Sequence, residues 1–269
     1  HRTLSDQWAG DVTSWSNGPP SPGRFGSRLA ANFVPATQVI GEVGQLTGLT
    51  DVVQTINLTQ AYTNPVVFAQ PSSYVGTEPV VVRISNVQSN QFEIEVVEPS
   101  NLNGTHGAGG TGESTGFIVL ESGSHVLADG TLLEVGTVFT TATVGKSIPT
   151  PTWETVGYTA PFDGVPVVIS QVQSIGAGGQ AYLSTRQNAI SATSFDVATE
   201  PDEAGAVPSV AETIGYWAIE PGSGSWNSLP YEAHTSAALF TESFSTLSFG
   251  QAFAATPSLI AGLSSYNEG

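Results

Sequence analysis

The feature that most constrains the fold of this chain is an internal repeat with a period of about 100 residues. The segment AYTNPVVFAQPSSYVG at 61–76 aligns with PFDGVPVVISQVQSIG at 161–176. Further along, ESTGFIVLESG at 113–123 has the same form as ETIGYWAIEPG at 212–222. Each of these later segments has a glutamate, a glycine, an aromatic residue, an apolar run and a second glutamate. A pattern that occurs twice in the same order predicts two copies of one structural unit.

The apolar residues of each copy occur in short runs of valine, isoleucine, threonine and phenylalanine, separated by glycine, proline, asparagine and serine. Such runs are typical of strands joined by turns, and no helical periodicity extends beyond two turns. We therefore predict an all-β fold of tandem antiparallel β-sandwich repeats. The predicted organisation is an extended Pro/Gly-rich arm at 1–40, sandwich repeats at 41–148 and 149–240, and a partial third repeat or assembly strands at 241–269.

The repeated strands are apolar on both faces. Alternation along a strand places Tyr216 and Ala218 on one face and Trp217 and Ile219 on the other. A sandwich strand normally has one face in the core and one in water. Two explanations remain open, since a loop or the neighbouring repeat could cover the second face, or it could dock another subunit.

These residues resemble the H-type lectin family. The resemblance is carried by a phenylalanine four residues before Pro-Val-Val, an arginine nine residues before a phenylalanine, and a late Gly-Tyr-Trp-Ala-Ile strand. It covers roughly 55–121 and 155–220. The resemblance implies small, usually trimeric β-sandwiches that bind galactose-type sugars, but no sugar-contacting residue of the family can be matched here. As carbohydrate contacts we name Trp226 and Tyr231, on the expectation that these aromatics are exposed at a loop rim.

Charge and composition limit the partners. The chain has 23 acidic and 6 basic residues, a net charge of −17 and no cysteine. Such a surface repels nucleic acid and anionic lipid, and no apolar run reaches the roughly 20 residues that cross a bilayer. We therefore expect neither a nucleic-acid partner nor membrane insertion. The acidic charge, together with abundant threonine, serine, glycine and valine, favours an extracellular or cell-surface protein.

No catalytic motif is found. Glu113 and Glu121, like Glu212 and Glu220, lie eight residues apart, which is about 26 Å along a strand. A glycosidase pair needs roughly 5–9.5 Å, so we expect no enzyme. The histidines have no metal-ligand spacing, and His106 is expected to lie at the surface or in a loop.

Calcium is a candidate ligand, although no cofactor is required by the sequence. The segment EPDEAG at 200–205, with a glutamate shortly after it, is the densest acidic cluster. Carboxylate-rich loops suit this hard cation. The candidate ligands are Glu200, Asp202, Glu203 and Glu212. The alternative is that these acids are only solvated.

The two ends of the chain suggest assembly. The arm is basic, and its tryptophans are expected to be exposed unless the arm lies on another surface. The body is acidic, and the third repeat is expected to supply strands without partners. We predict an extracellular structural or adhesive repeat protein that assembles head-to-tail with copies of itself into a fibre, sheath or surface layer. The predicted assembly residues are Arg2, Trp8, Trp15, Arg24, Arg28, Phe253, Leu259 and Ile260. The alternative is a carbohydrate-binding, H-type-lectin-like tandem module that recognises glycans.

Overall fold

The computed structural model describes most of the chain beyond the arm. The described residues are 39–76, 78–107, 111–176, 182–204, 210–226, 228–237, 241, 243 and 245–266. The arm residues predicted to take part in assembly, namely Arg2, Trp8, Trp15, Arg24 and Arg28, lie outside them.

Within the described residues the chain is all-β, as predicted, with fifteen strands and no helix. Every pairing between these strands is antiparallel. The strands are β1 (Gly41–Leu49), β2 (Gln54–Asn57), β3 (Pro65–Pro71), β4 (Val81–Gln88), β5 (Gln91–Val97), β6 (Glu113–Glu121), β7 (Gly123–Val126), β8 (Leu132–Thr140), β9 (Glu154–Gly157), β10 (Val167–Val172), β11 (Leu183–Asn188), β12 (Ser194–Pro201), β13 (Glu212–Ile219), β14 (Gly222–Trp226) and β15 (Leu229–Ala233). No helix among the described residues is long and apolar enough to span a bilayer.

The strand order of the first half recurs in the second. In the first sandwich, sheet β1-β6-β3 packs on sheet β2-β5-β4. In the second, sheet β10-β13-β8-β7 packs on sheet β11-β12-β9. The central strands β6 and β13 are the two glutamate-flanked segments, and Phe92 and Phe195 are fully buried in corresponding strands, β5 and β12.

The second sandwich begins earlier in the sequence than the predicted boundary between 148 and 149. Strands β7 and β8 belong to the predicted first repeat by position, yet β8 pairs with β13 of the second sandwich. The reason is that the first strand of each unit pairs with its central strand, as β1 does with β6. In the sequence, the first strand of each unit is marked by a short Glu-Val-Gly triplet, which occurs at Glu42–Gly44 and at Glu134–Gly136.

A third apolar cluster, the seam, joins the two sandwiches. It lies between sheet β1-β6-β3 and sheet β10-β13-β8-β7, and Phe68 stacks on Trp217 there with ring centroids 5.6 Å apart. Its buried members are Val66, Phe68, Ile118, Leu120, Leu127, Leu133, Val135, Val167, Ile169 and Ile219. The seam explains why the repeated strands are apolar on both faces, because the neighbouring sandwich covers the second face.

Polar contacts complete the seam along the edge strand β3. The side-chain amide of Gln171 accepts from Ala69 N at 2.8 Å and donates to Ala69 O at 3.0 Å. Gln173 Oε1 accepts from Val67 N at 2.7 Å. An edge strand has main-chain groups without a neighbouring strand. Side chains of β10 and of the residue that follows it therefore satisfy main-chain groups of β3 in place of a further strand.

The predicted third repeat is wrong as a set of strands. The described residues from 241 onward contain no strand. Residues 245–266, here called the strap, instead contact the sandwiches of their own chain. Ser258 Oγ donates to Gly44 O at 3.3 Å, and Ala261 N donates to Gln70 Oε1 at 2.6 Å. The strap thus crosses sheet β1-β6-β3 on the face that carries Gly116, where an added Cβ would lie 3.0 Å from Ser258.

The strap then continues to the second sandwich. Gly145 N donates to the Tyr266 hydroxyl at 3.0 Å, and the ring of Tyr266 meets Trp153 edge-on. Of the predicted assembly residues, Ile260 is half-buried against the seam, Phe253 is half-buried, and Leu259 is exposed. Ile260 and Tyr266 of the strap therefore pack against their own chain, whereas Leu259 stays exposed.

Candidate functional site

The first glutamate of each repeated segment anchors a loop. Glu113 accepts from Val75 N at 3.0 Å and from the Ser73 hydroxyl. Its counterpart Glu212 accepts from Gly176 N at 3.0 Å and from the Ser174 hydroxyl. Each carboxylate is buried and fixes the loop that follows the neighbouring edge strand. A buried charge is tolerated when several donors satisfy it, so the shared role of these glutamates is structural.

The second glutamates also accept main-chain N–H groups. Glu121 accepts from Thr63 N and Asn64 N, both at 2.7 Å. Glu220 accepts from Leu132 N at 2.8 Å. Glu121 therefore holds the turn before β3, whereas Glu220 holds the first residue of β8.

The four predicted calcium ligands do not converge. Glu200 pairs with the Arg186 guanidinium, and Glu203 lies 3.7 Å from Lys146 at the surface. Asp202 Oδ1 accepts from the Ser100 hydroxyl at 3.0 Å. The fourth, Glu212, pairs with Arg83 at 3.5 Å. Each acid has a different polar partner, so the structure offers no shared cation position among them.

The two predicted sugar-contacting aromatics pack inward. Trp226 and Tyr231 lie on the hairpin β14-β15 and are half-buried against the seam. The Tyr231 hydroxyl donates to Asp129 Oδ2 at 3.2 Å. A stacking platform for a sugar needs an open aromatic face, so this packing disfavours the predicted role.

The described residues do contain one group of three side chains with metal-ligand geometry, at an end of the first sandwich. Glu78, Glu98 and His106 each offer a ligand atom, and these atoms lie within 4.8 Å of one another. Glu78 lies in the loop before β4, whereas Glu98 and His106 lie in the loop between β5 and β6. Glu98 and His106 are almost fully buried, and Glu78 is partly exposed.

His106 lies in a loop, which is one of the two places that the sequence suggested, but it is buried there, since only 1% of it is exposed. Its Nε2 lies 3.1 Å from Glu113 Oε1, and its Nδ1 lies 3.4 Å from Glu98 Oε1. Gly76 faces the imidazole, where an added Cβ would lie 2.5 Å from His106 Cε1. The missing side chain at Gly76 is what makes room for the ring.

Hydrogen bonds favour the ionised form of Glu113, the carboxylate beside this ring. Burial alone would raise the pKa of Glu113, but hydrogen bonds from Ser73, Val75, Gly76 and His106 outweigh it and lower that pKa below its ordinary value. Glu98 Oε2 accepts from Gly104 N at 3.2 Å. Glu113 is therefore an anion at neutral pH, held in place from several sides.

Sequence reasoning missed this group because its members come from two loops that are separated by a pair of strands. Glu98 and His106 are eight residues apart, and Glu78 precedes them by a whole hairpin. The one available signal was that the first repeat contains His106 where the second has no histidine.

Comparison with known proteins gives one similarity of limited extent. No model of a known protein family matches the chain, and no solved structure matches it. The chain is similar to halomucin from Haloquadratum walsbyi (strain DSM 16790 / HBSQ001), with 29% identity over 219 residues. The match covers 77% of this chain but 2% of halomucin, so the chain spans a small part of that relative's length.

Proposed function

We propose that this chain is a rigid structural segment of an extracellular or cell-surface protein, with no catalytic role. The observation that carries the proposal is the seam, because it buries the outer faces of both central strands against each other. Two sandwiches joined only by a linker would move independently. Two sandwiches joined by a continuous apolar core and an edge-strand contact form one body.

The surface charge and the similarity to halomucin support an extracellular location. A net charge of −17 keeps the surface hydrated and solvated in salt solution. The absence of cysteine leaves stability to the apolar cores and to the buried carboxylate contacts. The similarity to a part of halomucin supports a role as one segment of a larger protein.

Rigidity is tested with spin labels, for which the cysteine-free chain is well suited. Cysteines replace Thr55 on β2 and Thr155 on β9, two exposed positions in the outer sheets of different sandwiches. Double electron–electron resonance should give a single narrow distance distribution. A broad or multiple distribution would mean that the sandwiches move independently and would refute the proposal. Labelling of intact source cells with an antibody against the folded chain tests the location separately.

Association with copies of itself is the finer part of the proposal. The strap exposes Leu259 and Leu263, with 48% and 42% of their surfaces accessible. The arm carries arginines that complement the acidic body of a neighbouring copy. Light scattering of the full chain over a range of salt and protein concentrations should detect association that salt weakens. A monomer at all concentrations would refute this part and leave the rigid segment standing.

A further inference from the structure

We propose that Glu78, Glu98 and His106 form a binding site for a divalent transition metal ion of the zinc type, with His106 Nδ1 as the nitrogen ligand. The site would tie the loop before β4 to the loop between β5 and β6. The corresponding segment of the second repeat, 200–212, contains no histidine that could take the place of His106.

The first argument is that two buried polar atoms face each other without hydrogen bonds. Glu98 Oε1 and His106 Nδ1 have no hydrogen-bond partner among the described residues, although these residues are 5% and 1% exposed. Buried polar atoms are nearly always satisfied, because an unsatisfied one costs about 1–3 kcal/mol. A cation between them would satisfy both atoms at once.

The second argument is the spacing of the donors. Glu98 Oε1 and His106 Nδ1 lie 3.4 Å apart. Two ligands at about 2.0–2.1 Å from a tetrahedral zinc ion are roughly 3.3 Å apart. The carboxylate of Glu78 lies within 4.8 Å of both and reaches bonding distance through a small side-chain movement.

The third argument is the orientation of the imidazole. Glu113 Oε1 accepts from Val75 N at 3.0 Å and from Gly76 N at 3.3 Å, and it lies 3.1 Å from His106 Nε2. A ring that donates to this acceptor carries its proton on Nε2. The lone pair is then on Nδ1, which faces Glu98 and Glu78. Metal-bound histidines commonly have their other nitrogen donating to a carboxylate in this way. Glu113 is therefore a positioning residue for the ligand.

Charge and donor type select the class of metal. Two carboxylates and a neutral imidazole balance a divalent cation. An imidazole nitrogen suits zinc, cobalt or nickel, whereas calcium and magnesium prefer oxygen donors alone. Glu78 is partly exposed, so solvent reaches the group from that side and can supply a fourth ligand.

A competing explanation is an imidazolium between Glu98 and Glu113, with a proton on both nitrogens. The two explanations differ in the state of Nδ1, which carries a metal in one and a proton in the other. Nitrogen-15 NMR of the histidine ring distinguishes these states in the intact chain.

The test uses the full chain after treatment with a chelator, titrated with zinc and, for spectroscopy, with cobalt. We expect saturable binding of one ion per chain, a rise in melting temperature, tetrahedral cobalt absorption bands and a shift of the His106 Nδ1 resonance on zinc addition. His106→Gln should abolish binding, and Glu113→Gln should weaken it about 10- to 100-fold. The matched controls His234→Gln and Glu203→Gln, at exposed positions, should bind as the unaltered chain does.

Two results on the unaltered chain would overturn the proposal without relying on any variant. The first is the absence of saturable zinc binding together with an unchanged melting temperature. The second is a His106 ring that stays doubly protonated at neutral pH in excess zinc, which would assign the imidazolium instead. Binding that survives in a folded His106→Gln protein would also overturn it.

Discussion

Arg83 of the first sandwich forms a buried ion pair with Glu212 of the second. Arg83 Nη2 lies 3.5 Å from Glu212 Oε1, with 0% and 4% of the two side chains exposed. The same nitrogen donates to Ser174 O at 2.7 Å. The corresponding arginine of the second sandwich, Arg186, instead pairs with Glu200 within its own unit. One repeated arginine thus crosses between the units and the other does not.

Replacing this arginine should destabilise the protein strongly. Arg83→Met leaves the Glu212 carboxylate buried without its cation, which typically costs about 3–5 kcal/mol. Arg186→Met is the matched control, and it should cost less because its ion pair is partly exposed. Urea unfolding measures the free energy of unfolding of both variants. An equal decrease in that free energy for the two variants would contradict a special role for the ion pair between the sandwiches.

The seam should couple the unfolding of the two sandwiches. Phe68 and Phe92 are both fully buried, but Phe68 lies in the seam and Phe92 lies in the core of the first sandwich. Replacing either with alanine should cost about 3–5 kcal/mol. Calorimetry should show two separated transitions for Phe68→Ala and one transition at lower temperature for Phe92→Ala. A single transition for Phe68→Ala would mean that the seam is not what couples them.

Stability should fall on mild acidification because of His125. Burial lowers the pKa of His125 from its ordinary value of 6.5, against a smaller opposing effect of the Glu121 carbonyl and charge. Below pH 6.5 the unfolded chain therefore binds a proton that the folded chain does not, so stability is lost as pH falls.

Replacing His125 should make the free energy of unfolding less dependent on pH. His125→Gln should reduce the slope of unfolding free energy against pH just below 6.5, by up to about 1.4 kcal/mol per pH unit. Denaturant unfolding across this range measures the slope. His234→Gln is the control, because the side chain of His234 is 56% exposed. An unchanged slope in His125→Gln would show that other groups cause the acid sensitivity.

Two neighbouring residues of the strap should respond differently to the same change. Ile260 is half-buried against the seam, whereas Leu259 is 48% exposed. Ile260→Ser should cost about 1 kcal/mol through lost apolar burial, and Leu259→Ser should stay within about 0.5 kcal/mol. Hydrogen exchange of the strap and urea unfolding check this. If Leu259→Ser instead reduces self-association, that side chain contributes to the contact between copies.

The strands were predictable because their signal is local. Alternation in the segments around Phe117 and Trp217 gave both apolar faces, and the repeat gave the common strand order. The prediction did not use the repeated Glu-Val-Gly triplet, which lies in the first strand of each unit, where Gly44 and Gly136 make room for the aromatic rings opposite them.

The candidate site and the strap were not predictable, because each depends on which loops and surfaces meet. No spacing in the sequence indicates that His106 turns inward onto Gly76, or that Arg83 reaches Glu212 across the seam. In the strap Phe253 stands four residues before Pro257, as Phe162 stands before Pro166 in the second repeat, and this spacing suggested a further set of strands. Composition does not determine whether an extended segment pairs as a strand within a sheet or packs on the face of a sheet.

The path of the strap has a mechanical consequence. Its contacts with sheet β1-β6-β3 and with Gly145 and Trp153 are separate and successive along the segment. A pulling force applied beyond Tyr266 would therefore peel them one at a time, at low force, before any strand of a sandwich is loaded. Detachment of residues 245–266, at about 3.3 Å each, would release a contour length of roughly 70 Å. Extension at low tension would therefore come from the strap first, while both sandwiches stay folded.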